Sequence, residues 1–250
     1  NGSHKYADGR LHDAAASLGA NVTRLDWQWN YAAGVHHWKP RKPSHGLSLV
    51  PPKSALWLNW RGERIGPMPL VTGFDTHDLV AQICRQQRAY SWQLLNRRIA
   101  LKELAISGGE FNPAFREKKR LAVARDMVFG NRWLVDEVTR NCPDFVVADT
   151  LPELVQKMNA LTGDGSVDLA AITEAATCYD ARIDAGPRFH NDEQLRRIEF
   201  ARRWIGDRLR TCRFQKILDP KAGPLLSIRE FIISRKSMGG LQTDLSCRVL

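Results

Sequence analysis

The chemistry open to this chain gathers at a few residues. Two glycine-bearing turns stand out: Asp8-Gly9 ahead of a helix, and Met238-Gly239-Gly240 between two strand-like stretches. Backbone N–H groups exposed at such places receive anionic or carbonyl oxygens. Glycine also allows close approach, because no Cβ intervenes. Taken alone, each reads first as a structural turn. Arg235 and Lys236 put positive charge beside the second turn, where negative charge developing on a substrate oxygen would be stabilised. His36 and His37 are adjacent and would point different ways on a strand, so packing or local hydrogen bonding is the simpler reading than metal ligation. Cys84, Cys142, Cys178, Cys212 and Cys247 are scattered, with no C-x-x-C pair. That suits reduced thiols and leaves no metal site to assign. No G-x-G-x-x-G follows a strand, and there is no Walker loop, G-x-S-x-G elbow or H-E-x-x-H helix. The residues by themselves describe no self-sufficient catalytic motif.

The elements that must position these residues read as follows. Leu11 to Leu18 is a short helix, with Asp8 at a plausible N-cap and Gly19 as its stop. Val22 to Trp29 is strand-like, and Tyr31 to Pro52 is aromatic, Pro-rich and irregular by composition. Leu56 to Leu58 is a strand leading into a hairpin-type turn at Arg61-Gly62. Asp75 to Glu110 reads mainly as helix, from Leu79, Ile83, Leu94, Leu95, Ile99 and Leu104. A basic helical stretch runs from about Ala114 to Arg140, and Phe145 to Ala148 is a short buried strand. Thr150-Leu151-Pro152-Glu153 has the capping-box form, with Pro tolerated in the first turn. It opens a helical hairpin that turns at Gly163-Asp164-Gly165 and resumes near Asp168. Glu193 to Leu209 is a further amphipathic helix. Leu225 to Ile233 is a strand, Lys236 to Gly240 a tight turn, and Thr243-Asp244 with Arg248-Val249 a second short strand. Helices mixed with separated strands indicate α+β.

At 250 residues the chain is long enough to bury a substantial core. It carries 37 Lys and Arg against 27 Asp and Glu. A basic excess suits an anionic ligand or nucleic acid, but the basic residues are spread along helical stretches, where charge marks a wet face. A nucleic-acid role is therefore the less favoured reading. No apolar run approaches the ~20 residues that cross a bilayer, and Asn1 to Arg10 carries no signal-peptide core. A cytoplasmic setting without membrane attachment is expected.

Four segments in order resemble one family. Ala7-Asp8-Gly9, a helix and Leu18-Gly19-Ala20 are similar to a T-G-D-G loop and a helix ending in A-G-A. Leu56-Trp57-Leu58-Asn59 with Gly62-Glu63-Arg64 resembles L-F-V-N-x-x-G-x-R. Thr150 to Tyr179 resembles a helical hairpin, T-L-x-E-L then L-x-x-T-V-x-x-Y-N. Lys236-Ser237-Met238-Gly239-Gly240-Leu241, with Asp244 and Arg248-Val249-Leu250, resembles H-T-M-G-G-L and the strand pair after it. The family is that of the fumarate reductase and succinate dehydrogenase flavoproteins, which includes 3-ketosteroid dehydrogenases.

The resemblance implies a middle section of an FAD-dependent dehydrogenase. The family's dinucleotide loop would precede Asn1, and its closing FAD segment would follow Leu250. By that registration 1–23 is a remnant of the FAD-binding domain, 24–235 a capping domain over the substrate, and 236–250 the returning FAD-binding segment. Asp8 matches the family's FAD-contacting Asp, with Gly9, Gly239 and Gly240 beside the cofactor. Lys236 falls where fumarate reductases have a substrate-binding His, and His77 is nearest to their proton-donating Arg. Arg64, Arg235 and Ser237 are the implied substrate contacts. Together these departures argue against fumarate or succinate. The implied chemistry is hydride transfer between a substrate carbon and flavin N5, with proton transfer from the cap. Trp27, Trp29, Trp38, Trp57, Tyr90 and Trp92 either line an apolar pocket or are core. The partners implied are a small-molecule substrate and the missing FAD-binding segments, without which tight FAD binding is not expected. The competing reading is a stand-alone basic module that binds an anion or nucleic acid without catalysis.

Overall fold

In this computed structural model the described residues are 8–66 and 76–250. Helix α1 (Arg10–Ser17) precedes β1 (Val22–Thr23), and a turn leads into β2 (Gln28–His36). The sequence suggested one strand from 22 to 29. It is split because Arg24 takes a φ of +55°, and its carbonyl accepts the Trp27 N–H at 3.0 Å. β3 (Gly46–Val50) pairs with β2, Gly34 opposite Ser48. β3 and most of β2 lie where irregular chain was expected. Pro40, Pro43, Pro51 and Pro52 all fall outside them, so the ladder keeps its donors. β4 (Leu56–Leu58) enters the expected turn, where Gly62 has φ +92° and Arg64 bridges back to Leu58.

The stretch expected as helix from 75 to 110 is α2 (Thr76–Cys84), β5 (Tyr90–Asn96), α3 (Arg97–Glu103) and β6 (Ala105–Ile106), with Asp75 outside the described residues. From Ser91 to Asn96 every residue of β5 is buried. A strand covered on both faces loses the alternation that would mark it, and its leucines mimic helical spacing. Likewise the basic stretch divides into α4 (Pro113–Arg116), α5 (Arg120–Phe129) and α6 (Arg132–Asn141), broken at Lys118 (φ +55°) and Gly130 (φ +86°). β7 (Phe145–Ala148), α7 (Leu151–Thr162) and α8 (Leu169–Asp184) lie where the sequence placed them. The Thr150 hydroxyl accepts the Glu153 N–H at 3.4 Å, and Gly163 ends α7 at φ +73°. One long helix was expected from 193 to 209; α9 (Glu193–Ala201) and α10 (Ile205–Arg210) take its place.

The last strands are β8 (Leu225–Ser237) and β9 (Gly240–Leu241). One seven-stranded sheet has the order β4-β5-β8-β2-β3-β6, with β7 also on β8. Every pairing is antiparallel. Helices and strands mixed in this way make the architecture α+β. Along its first half β8 is flanked by both β5 and β7, and along its second by β2. Trp92, Leu94, Leu95, Ile228, Leu154, Met158, Ile172 and Tyr179 form the inner core, each nearly inaccessible to solvent.

A second sheet is separate and small. β1 pairs with β9, Val22 opposite Leu241. The Asn21 N–H donates to the Leu250 carbonyl at 2.6 Å, and the Gln242 N–H donates to the Asn21 carbonyl at 2.8 Å. Helix α1 packs on β9. The first and last segments of the described chain therefore meet in one unit.

Candidate functional site

The candidate site is assembled where the chain passes between the two sheets. Lys236 and Ser237 end β8 opposite Trp29 and Gln28. They were read as part of a turn, but they belong to the strand; only Met238 and Gly239 connect β8 to β9. Arg235 also lies in β8, and its side chain is outside what is described. Lys236 is exposed, with Nζ 5.6 Å from the centre of the Trp29 ring, and Trp29 stacks on Tyr31 at 6.1 Å. The Arg24 guanidinium lies 4.4 Å over Trp27. Trp27 and Trp29 are both about half exposed, unlike the buried Trp57 and Trp92. The aromatic set thus divides: the last two are core, and the first two form a cation–aromatic surface.

The glycine pair has a specific physical cause. A Cβ on Gly239 would stand 1.8 Å from the Arg24 carbonyl oxygen. The close approach that glycine permits here is to the chain's own backbone. Ser237 closes the same turn by donating its hydroxyl to the Gly239 carbonyl at 3.1 Å, and the Met238 N–H donates to Trp27 at 2.8 Å. Gly240 adopts φ +152°, and a Cβ there would meet His12 Nε2 at 3.3 Å. His12 lies within the first turn of α1, so the Asp8-Gly9 helix start and the glycine pair share one unit.

Asp8 was expected at the N-cap of α1. That position is held by Gly9 in the left-handed region at φ +83°, with no side-chain cap. A branch at Cβ would be costly there, and glycine is not penalised. Asp8 turns its carboxylate onto the Arg10 N–H at 3.2 Å and Nε at 3.1 Å. Both Asp8 and Gly9 are exposed, and nothing lies within 4 Å of where a Gly9 Cβ would be. An eight-residue helix with an open start and an exposed acid fits one edge of a flavin nucleotide. Gly239 does not add a ligand cradle, since Arg24 fills that space.

Arg64 is placed elsewhere. Its guanidinium donates to both Asp192 carboxylate oxygens at 2.6 and 3.2 Å and to Gln194 at 2.9 Å. Burial would raise the Asp192 carboxyl, but the hydrogen bonds and charge of Arg64 outweigh it and hold it below the ordinary range. Asp192 also caps α9 through the Gln194 and Leu195 N–H groups. Arg64 therefore ties the β4 turn to α9. Its bridge partner Leu58 is in register with Trp92 and Arg229. Lys236 lies seven residues further along β8, on the order of 20 Å at the usual strand rise. The two are not brought together. His77 is exposed in the first turn of α2, which packs on β2 through the buried Leu79 and Ile83.

Other buried polar groups carried no sequence signal. Asp144 is fully buried and accepts the His36 N–H at 2.7 Å, the His36 ring at 2.8 Å and Arg229 at 3.0 Å. Glu103 accepts Ser54 and Cys212. Burial pushes the Cys142 thiol up to about 12, which leaves it unreactive. Among the described residues no group of His, Cys, Asp and Glu could hold a metal ion. His37 is buried against His45 and Phe111. Among the same residues no helix is long and apolar enough to cross a membrane.

Comparison with known proteins adds a family. Residues 2–250 match the family described as FAD binding domain. The chain is 37% identical over 246 residues to a KsdD-like steroid dehydrogenase of Mycolicibacterium smegmatis, covering 98% of this chain and 44% of that protein. It is 36% identical over 247 residues to a KsdD-like steroid dehydrogenase of Mycobacterium tuberculosis, covering 98% and 43%. The chain thus spans less than half the length of the curated relatives it matches. Among solved structures it is similar to the 3-ketosteroid delta1-dehydrogenase of Sterolibacterium denitrificans in complex with 1,4-androstadiene-3,17-dione. That match has a TM-score of 0.56 at 15% identity and covers 100% of this chain and 39% of that one. It is a likeness of fold.

Proposed function

Since this chain belongs to the FAD-binding domain family, we propose that it is the substrate-capping section of an FAD-dependent dehydrogenase acting on a steroid-like ketone. The observation that carries the reading is the meeting of the chain's ends. Residues 22–23 and 240–241 pair in a sheet of their own, while the chain between them builds a different, larger sheet. That is the arrangement expected of a capping domain inserted into a flavin domain, with the crossings at 24–27 and 238–239. The end unit exposes Leu11, Leu18, Leu245, Val249 and Leu250. Apolar side chains presented together in this way suit docking of further FAD-binding segments of the same polypeptide. The relatives that are steroid dehydrogenases by name support the substrate class.

In this reading Asp8 and Gly9 hold one edge of FAD, and FAD when bound takes up the hydride. Lys236, steadied over Trp29, directs its ammonium at the substrate's carbonyl oxygen and stabilises the negative charge that develops there. Trp27, Trp29 and Met238 offer an apolar surface to the substrate's ring system and exclude water from it. His77 is the candidate to accept the proton that the substrate gives up alongside the hydride.

The test is made on the longer polypeptide, purified with its FAD and offered a 3-ketosteroid. Lys236→Met keeps the length and removes the charge. Turnover is expected to fall by ~10²–10³, the usual cost of losing one such contact, with flavin content unchanged. Turnover within twofold of the parent would sink the assignment of Lys236. Absence of any ketosteroid oxidation by the parent would sink the substrate class.

A further inference from the structure

A cleft of about 800 Å³ opens at the β3–β6 edge of the large sheet, the opposite edge from the turn that carries Arg64. Its size lies within the range of small-molecule sites. The lining apolar residues include Val50, Leu104, Ile106, Val123 and Met127. One wall is α5, and α5 is unusual. A surface helix normally buries an apolar stripe, yet none of the ten residues of α5 is buried. Of its apolar side chains, Val123 and Met127 line the cleft and Met127 is 38% exposed, while Leu121, Val128 and Phe129, more than half exposed, lie outside the lining. The helix touches α3, α4 and α10 without closing onto them.

The charges of the cleft are unequal. Five cations line it against two carboxylates. Three of the cations are neutralised locally: Arg116 and Lys119 by Glu117 at 3.3 and 2.7 Å, and Arg125 by Asp126 at 2.9 Å. Lys102 and Arg210 make no ion pair or hydrogen bond among the described residues. An apolar trough with two unmatched cations is complementary to one kind of small molecule. We infer that this cleft binds an apolar carboxylic acid of fatty-acid type, with its chain along Val50, Ile106, Val123 and Met127 and its carboxylate on Lys102 and Arg210. Binding would cover Val123 and Met127, the apolar side chains that α5 contributes to the cleft.

The inference is independent of the flavin chemistry and is tested on the purified 250-residue chain. Dodecanoate, below its micelle concentration, is titrated by calorimetry and by displacement of an anilinonaphthalene sulfonate dye. Dodecanol serves as the uncharged control. The expected result is one dodecanoate per chain, with dodecanol binding about tenfold or more weakly, as for loss of a charge-assisted contact. Lys102→Met and Arg210→Met should each weaken dodecanoate about tenfold and leave dodecanol unchanged. Val123→Trp should block both ligands, and Ala122→Phe provides the same block from the neighbouring position if the first variant does not fold. Equal affinity for acid and alcohol would overturn the inference. So would affinities unmoved by both charge removals, or binding to anionic phosphatidylserine vesicles with none to monomeric acid.

Discussion

Glu230 illustrates how far a residue's setting can depart from its type. It is fully buried in the first half of β8, opposite Ser91, and neither carboxylate oxygen has a hydrogen-bond partner among the described residues. Burial pushes its carboxyl well above the ordinary range, so it stays protonated where an exposed Glu would not. The unfolded chain releases this proton near pH 4. Above that pH the folded state holds a proton the unfolded state has lost, and stability falls as pH rises toward the folded value. Glu230→Gln keeps the shape and removes the titration. It should gain at least about 1 kcal/mol at neutral pH, with the gain shrinking below about pH 4. Denaturant midpoints of the two proteins at both pH values decide this; equal differences at the two would refute it. Ile228-Arg229-Glu230-Phe231 looks in sequence like a strand with one wet face. The neighbour of Glu230 in the sheet, Ser91 of β5, comes from a distant part of the chain, and no local pattern reports that. Arg64 was opaque for the same reason: its partner Asp192 lies 128 positions away.

Elements were legible where their signals are local. The hairpin of α7 and α8 carries its own cap, its own stop and an uninterrupted apolar face, and it lies where the sequence placed it. Thr150→Ala removes the hydroxyl that accepts the Glu153 N–H and should cost about 1 kcal/mol. The denaturant midpoint should drop with an unchanged slope. An unmoved midpoint would mean that the 3.4 Å contact contributes nothing. β5 was hidden because full burial erases alternation. The split of α9 from α10 carried no local signal; across the break the Arg202 guanidinium donates to the Arg208 and Thr211 carbonyls. At the candidate site, Gly9 and the Met238–Gly239 connection were visible as turns. The pairing of Lys236 with Trp29 was not, since it needs β2 and β8 to be neighbours.

For the molecule as a whole, the two crossings lie side by side: the Met238 N–H donates to the Trp27 carbonyl, and Gly239 sits against Arg24. A guest whose two tethers leave from one spot can be spliced into a host without prying the host apart, because the gap it must span is a single chain-to-chain contact. The reverse also holds. Residues 27–238 contain every strand of the large sheet and nearly all of the inner core. Expressed alone, that stretch should unfold cooperatively in denaturant, with a midpoint close to that of the 250-residue chain. A broad, non-cooperative transition would show that guest and host depend on one another. If the guest stands alone, it is a transplantable module: under the proposed capping role, the surface it would offer a substrate can be exchanged between relatives by cutting at two neighbouring points, and recombination at those points would conserve both folds.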